Sequence, residues 1–416
     1  MKDLETTGKN NGLNIDWVRA QFPAFSEPSL QGQAFFENAG GSYTCQQVIN
    51  RLTRYYTQRK VQPYAPYEAS TLAGAEMDEA RGRLAAMMGV DSDELSFGPS
   101  TTQNTYVLAN AFRRFLKPGD AIVVTNQDHE ANTGPWRRLA EEGYELREWQ
   151  VDPETGHLDP RQLDDLLDEK VKLVCFPHCS NVVGEINDVK AICAKARANG
   201  SYTCVDGVSY APHGFVDVAV LGADIYLFSA YKTYGPHQGI MVIRRALGEA
   251  LPNQAHYFNA DCLYKRLTPA GPDHAQVAAS AGMADYMDAL AAEHGVREGG
   301  ALAARAAHGL MRAHEVKLLQ PLLDYAKAKN SVRLLGPDQA EARAPTVALA
   351  SQIAGEDLAR RLAPLGIMAG GGDFYAVRAL AGQGVDPSHG VLRVSFTHYT
   401  SEEEVTKLIE ALDQVL

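Results

Sequence analysis

Short apolar runs rich in β-branched residues alternate with helix-patterned segments through the middle of this chain, and that alternation restricts it to one broad architecture. The runs are Ala121–Thr125, Val171–Phe176, Tyr202–Val205, Ala223–Phe228 and Gly239–Ile243, with helix patterns over Pro160–Asp168 and Asp188–Ala198 between them. Strand-like and helix-like segments in regular alternation predict an α/β fold with a doubly wound, mostly parallel sheet. From Gly295 to Asn330 the pattern becomes a long Ala/Leu-rich helix. Beyond it, strand-like runs at Val332–Leu335, Pro345–Ser351, Gly366–Ala369 and Val391–Phe396 alternate with helices near Glu356–Ala363 and Glu402–Leu416. The last helix opens on Ser401-Glu-Glu-Glu404, a capping-box signature. The expected organisation is an N-terminal arm over 1–30, anchored by Trp17, Val18 and Phe22, a large domain over 31–294 and a smaller α+β domain over 295–416.

At 416 residues there is chain enough for two domains and a large core. The balance of 39 basic against 51 acidic residues, a net charge of −12, argues against a nucleic-acid or anionic-membrane surface while leaving room for a local basic pocket. No apolar run approaches the ~18 residues of a membrane span. The polar stretch Met1–Asn10 lacks the apolar core of a secretory signal. Six cysteines are scattered without CxxC spacing, and several fall inside strand-like runs, as expected of buried, reduced thiols in a cytoplasmic protein. HExxH, zinc-ribbon and GxGxxG patterns are missing, so no metal is expected and protease or dinucleotide readings start weak.

Ligands of doubly wound sheets sit outside the carboxyl ends of the strands, so the residues just past each run attract attention. Phe228-Ser-Ala-Tyr-Lys232-Thr-Tyr-Gly-Pro236 places one lysine among hydroxyls before a Gly-Pro turn, and Tyr202-Thr-Cys-Val-Asp206-Gly207 ends another apolar strand on an acid 26 residues earlier. A lysine able to form an imine and an acid able to pair with a pyridinium nitrogen are what pyridoxal phosphate (PLP) chemistry requires. Gly98-Pro-Ser100-Thr101-Thr102-Gln103 then reads as a phosphate site at a helix start, although alone it would pass for an ordinary N-cap. His129, in Thr125-Asn-Gln-Asp128-His129, follows a strand and is placed to stack on a ring or relay protons; taken singly it would be a surface histidine. Asn181, in His178-Cys-Ser-Asn181, offers a neutral amide to the cofactor's 3′-oxygen, and Ser229 and Tyr231 flank Lys232 as phosphate donors. Singly, Asp206 is also a strand-end capping acid and Lys232 a turn lysine; their joint occurrence in this order points to a PLP site.

This order of motifs resembles the class V aminotransferase family, in particular its cysteine desulfurase-like branch. The resemblance runs from Phe35-Phe-Glu-Asn38-Ala-Gly-Gly41 to the C-terminal helix. It implies a fold type I PLP enzyme, a homodimer with active sites at the interface, acting on a small-molecule amino-acid substrate. It makes His129 the ring-stacking histidine, Asp206 the pyridinium partner and Lys232 the Schiff-base lysine. Thr101, Thr102, Ser229 and Tyr231 fall at phosphate-contacting positions, and Asn181 and Ser209 complete the cofactor set. Arg393, in Val391-Leu-Arg393-Val-Ser395, matches the arginine that grips the substrate carboxylate, with Asn38 and Asp373 as further substrate contacts.

Departures from the family pattern bear on the reaction. The loop that in desulfurases carries the sulfur-accepting cysteine reads Gly366-Ile-Met-Ala-Gly370-Gly-Gly372-Asp373-Phe374-Tyr375 here, and no cysteine lies beyond Cys262. A persulfide needs a thiolate in that position. Ser209 stands where many relatives carry glutamine, and Gly271 where many carry a threonine that reaches the partner's phosphate. The expected reaction is therefore C–S lysis or a related β-elimination through Lys232. Aminotransfer or epimerisation comes next, with Asp373, Tyr375 and His398 as candidates for the second acid an epimerase needs. A non-catalytic PLP-fold protein is the remaining alternative; such a protein would be expected to have lost Lys232 or Asp206.

Overall fold

A computed structural model describes residues 12–416. The polar stretch Met1–Asn10 lies outside them. Thirteen strands form three sheets among the described residues. β1 (Ala34–Phe35) comes first; β2 (Leu95–Gly98), β3 (Ala121–Thr125), β4 (Glu145–Trp149), β5 (Val171–Pro177), β6 (Tyr202–Asp206), β7 (Ile225–Ser229) and β8 (Gly239–Ile243) build the large sheet. Its order is β2-β8-β7-β6-β5-β3-β4. Five neighbouring strands run parallel, whereas β8 is antiparallel to both β7 and β2, so the sheet is mixed and mostly parallel. Side chains of β3, β5, β7 and β8 are buried on both faces apart from Lys172, which explains their unbroken apolar runs.

β9 (Val332–Leu335), β10 (Thr346–Ser351), β11 (Ile367–Met368), β12 (Gly370–Gly372) and β13 (Val391–Ser395) follow the 28-residue helix Ala301–Ala328. β12-β13-β10-β9 form an antiparallel sheet, and β11 pairs instead with β1, far back in the chain. Ala34 and Phe36 accordingly sit in the second hydrophobic core, with Leu318, Val347, Leu392 and Leu408. The long helix joins both cores: Ala304, Ala307 and Met311 pack on the large sheet's side, and Leu318 to Leu323 on the other. The arm behaves as its apolar residues imply, with Val18 and Phe22 buried and Trp17 stacked on Tyr286. The expected capping box closes the start of the final helix, Ser401 Oγ accepting from the Glu404 N–H and Glu404 accepting from the Ser401 N–H.

Candidate active site

Parallel strands β5, β6 and β7 end side by side, and the residues that follow them share one recess. β7 ends at Ser229, and a single 3-10 turn carries Lys232 inward, where it is buried. Asp206 closes β6 and is buried as well; its Oδ1 accepts the Val208 N–H at 2.8 Å. Burial, which penalises charge, pushes the Asp206 carboxyl up to about 6, partly offset by the Lys232 ammonium. Lys232 is moved the other way, down to about 8, first by burial and then by the Arg393 charge, with Asp206 and Glu37 opposing. A buried acid and a buried amine with both pKa values displaced towards neutrality form a site prepared for proton transfer.

His129 caps the helix Glu130–Arg137, its Nδ1 accepting the Ala131 N–H at 3.0 Å. Burial, and then the Lys232 and Arg393 charges, lower it to about 3, so the ring is neutral at pH 7 and its proton sits on Nε2. Asp128 anchors the turn: its Oδ1 accepts the His129 N–H and its Oδ2 the Asn132 amide, at 2.8 and 2.7 Å. Its pKa is well above the ordinary carboxylate value, mainly through burial and then the nearby Asp206 charge.

On the opposite side begins the helix Thr101–Phe115. Ser100 Oγ accepts the Gln103 N–H, Thr101 Oγ1 and Ser229 Oγ lie 2.8 Å apart, and the first N–H groups of the helix have no acceptor within it. Gly239 of β8 makes this approach possible, because a Cβ there would fall 2.3 Å from the Ser100 carbonyl carbon. Thr101, Thr102, His129, Asn181, Asp206, Ser209, Ser229, Tyr231 and Lys232 all line this inner recess, which shares Thr102, His129, Asn181, Tyr231 and Lys232 with an outer cleft of about 840 Å³.

The outer wall comes from elsewhere in the chain. Arg393 of β13 projects into the cleft, buried, with Nη2 donating to Glu37 Oε1 at 2.6 Å and Nη1 to the Asn181 carbonyl at 3.1 Å. The Phe374 ring lies over its guanidinium, 3.8 Å from the centroid. The loop after β12 holds Phe374 and Tyr375 at φ 53° and 55°, a left-handed conformation that bulky residues seldom adopt. Backbone bonds pin it: the Phe374 carbonyl accepts from Asn181 Nδ2 and the Tyr375 carbonyl from the Glu130 N–H, at 2.9 and 2.8 Å.

Several residues picked from the sequence lie apart from this cavity. Asn38 is buried between strands, its amide donating to the Ser395 carbonyl at 3.2 Å and its oxygen accepting from the Tyr399 hydroxyl. Its neighbour Glu37 lines the cleft instead. Asp373 turns back to accept the Tyr375 N–H at 2.8 Å. His398 is buried between the Tyr234 and Tyr286 hydroxyls. Tyr375 lines the cleft. Sequence reading missed Glu37, Phe374 and Asp128; all three lay inside quoted motifs, with nothing in their spacing to separate them from their neighbours.

The class V aminotransferase family matches residues 34–408. The chain belongs to that family. Its members depend on PLP. The aminotransferase-like protein FGM3 of Gibberella zeae is 34% identical over 98% of this chain and all of that protein. A cysteine desulfurase of Pectobacterium carotovorum is 30% identical over 96% of this chain and 98% of the relative. In fold, a cysteine desulfurase from Thermococcus onnurineus superposes with a TM-score of 0.83 at 23% identity, covering 100% of this chain and 99% of the other.

The recess fits PLP on its own chemistry. Free N–H groups and paired hydroxyls at a helix start suit a phosphate. The buried acid at the opposite end suits a protonated ring nitrogen, and Asn181 Oδ1 is buried with no hydrogen-bond partner.

Proposed function

We propose that this chain is a PLP-dependent amino-acid lyase that eliminates a β-substituent, most characteristically one bonded through sulfur. One observation carries the reading: a single buried lysine, with its amine brought to about 8, shares a recess with a buried acid and a phosphate-type helix start. When bound there, the cofactor supplies an electron sink for the carbanion formed at the substrate α-carbon.

The protein's part follows from its own groups. Lys232 is the covalent anchor and the base that takes the α-proton on Nζ. Asp206 keeps the ring nitrogen protonated, and its own ionisation is stabilised in return. His129 offers a neutral ring face, oriented by the Ala131 N–H. Thr101, Thr102, Ser229 and Tyr231, with the helix start, hold the phosphate; Asn181 and Ser209 border the ring. Arg393 takes the α-carboxylate. Removal of the α-proton and departure of the β-group leave 2-aminoacrylate, which water converts to pyruvate and ammonia.

Two features favour elimination without a protein-bound persulfide. The loop that borders the cleft contributes Phe374 and Tyr375 and no thiol. Cys179, the thiol in the inner recess, is pushed by burial up to about 12 and donates to the Gly184 carbonyl at 3.2 Å, both of which disfavour its thiolate. Epimerisation needs a second acid, and of the three candidates only Tyr375 lines the cleft. A homodimer completes the reading. Tyr64 and Phe258, 55% and 69% exposed, line with Gly271 a groove of about 300 Å³ suited to a second copy. Cytoplasmic residence is in keeping with six unpaired cysteines.

A product-resolved assay of PLP-loaded protein tests the reaction, using cysteine, cystine, cysteine sulfinate, S-substituted cysteines and alanine. Pyruvate and ammonia with a released thiol or sulfur species is the expected outcome. A keto acid formed only when an amino acceptor is supplied would replace this reading with aminotransfer.

A further inference from the structure

The substrate-side wall contains an ion pair with an unusual set of unmet bonds. Arg393 has one N–H edge on Glu37 and one on the Asn181 carbonyl, while its Nε is buried with no partner. Glu37 uses Oε1 alone, and its Oε2 is likewise buried and unpartnered. A carboxylate binds arginine best through two parallel N–H···O bonds. Here Glu37 takes an Nη2 donor and the Asn181 carbonyl an Nη1 donor, so part of the donor set that a paired carboxylate would use is already engaged.

Glu37 is also seated rather than merely nearby. A Cβ on Gly40 would fall 2.8 Å from its Oε1, and a Cβ on Gly370 would fall 2.4 Å from its Oε2 and 3.1 Å from the Phe374 ring. Two glycines thus leave a slot for this carboxylate, and Phe374 covers the Arg393 guanidinium. This accounts for the first glycine of the Gly370-Gly-Gly372 run without appeal to flexibility.

We propose that Glu37 is a positioning residue that occupies the carboxylate subsite of Arg393 from within, and that a substrate's carboxylate binds by displacing it from Nη2. The proposal rests on the amino-acid reading above and adds the specificity element that reading lacks. A second carboxylate entering beside a retained Glu37 would meet like charge next to one buried guanidinium, so exchange is the route that keeps the charges balanced. Side chains that stabilise the displaced Glu37 carboxylate, by offering it an ammonium, amide or hydroxyl, would lower the cost of exchange. The substrate class indicated is therefore an amino acid with a hydrogen-bond-donating side chain rather than an acidic one.

The test uses PLP-loaded protein and two probes, L-alanine and ethylamine, which is the same molecule without its carboxylate. Binding is read from the cofactor's absorbance and from the shift in melting temperature. Glu37→Gln keeps the shape and removes the competing charge, so L-alanine should bind about tenfold more tightly while ethylamine is unchanged. Gly370→Ala, whose methyl would intrude on Glu37 Oε2, should move L-alanine the same way with Glu37 still charged, and it serves if the first variant does not fold. L-alanine binding that is unchanged or weaker in the folded variant would make Glu37 a prop for Arg393 and overturn the proposal. So would equal shifts for both probes. If neither probe perturbs the wild-type holoenzyme, the amino-acid reading itself falls and the proposal falls with it.

Discussion

The floor and the wall of this cleft are built by different means. The floor, with Lys232, Asp206 and Ser229, stands on the ends of adjacent parallel strands whose residues are buried on both sides. The wall, with Glu37, Phe374 and Arg393, is assembled from segments more than 300 residues apart, joined through β12, β13 and the parallel bridge between Glu37 and Ser395. A floor of that kind can stay constant while the wall is re-cut, because changes in a loop leave the sheet's packing intact. In this chain the floor brings together a buried lysine, a buried acid and a helix start, whereas the wall holds an aromatic pair in a left-handed turn and an internal carboxylate on the arginine.

That contrast can be broken by experiment. The largest effect is expected from Lys232→Ala, which should lower turnover by roughly 10³-fold or more and abolish any borohydride-reducible link to the cofactor. Retained turnover would place the chemistry elsewhere. Arg393→Ala should raise KM by roughly 30-fold or more for amino acids, since an uncompensated carboxylate in a buried site costs about 2 kcal/mol or more, and should leave cofactor retention unaltered. An equal loss of cofactor would mean that floor and wall are one unit. Phe374→Ala removes the cover over Arg393 and should change KM several-fold with smaller change in kcat. An effect confined to cofactor retention would assign Phe374 to the floor instead.

The smallest of these effects concerns pH. His129, His178 and His398 are held near 3 by burial, against 6.5 in the unfolded chain. The unfolded state therefore takes up protons first, and stability present above pH 6.5 is lost as pH falls towards 3. Asp206, raised to about 6, acts in the opposite sense between pH 6 and 3.8, and Asp128, raised by burial, works in the same direction. With His274 and His308 also lowered by burial and Asp224 raised by it, five histidines stand against three acids, and the melting temperature should fall on acidification below pH 6. A melting temperature that rose over this range would show that the buried carboxylates dominate.

Legibility in the sequence divided along the same line. Continuous runs such as Ile225–Ser229 could be read as strands because burial on both faces leaves an unbroken apolar signature. β4 escaped notice: Glu145–Trp149 is an edge strand in which three of five residues, Glu145, Arg147 and Glu148, are charged, so it carries no apolar run. The antiparallel course of β8 was also hidden, since strand direction leaves no mark on composition. Lys232 and Asp206 stood out because each follows a strand directly. Glu37 did not, since its role depends on a pairing with β13 that spans most of the chain. Asn38 was chosen one residue away for want of that register, and a one-residue step in an extended segment turns a side chain to the opposite face.

The most direct test of the central claim is peptide mapping of the PLP-loaded protein after borohydride reduction. The account predicts a phosphopyridoxyl group on the peptide containing Lys232 and on no other lysine. Label on a different lysine, or a protein that binds PLP without any reducible link, would contradict it.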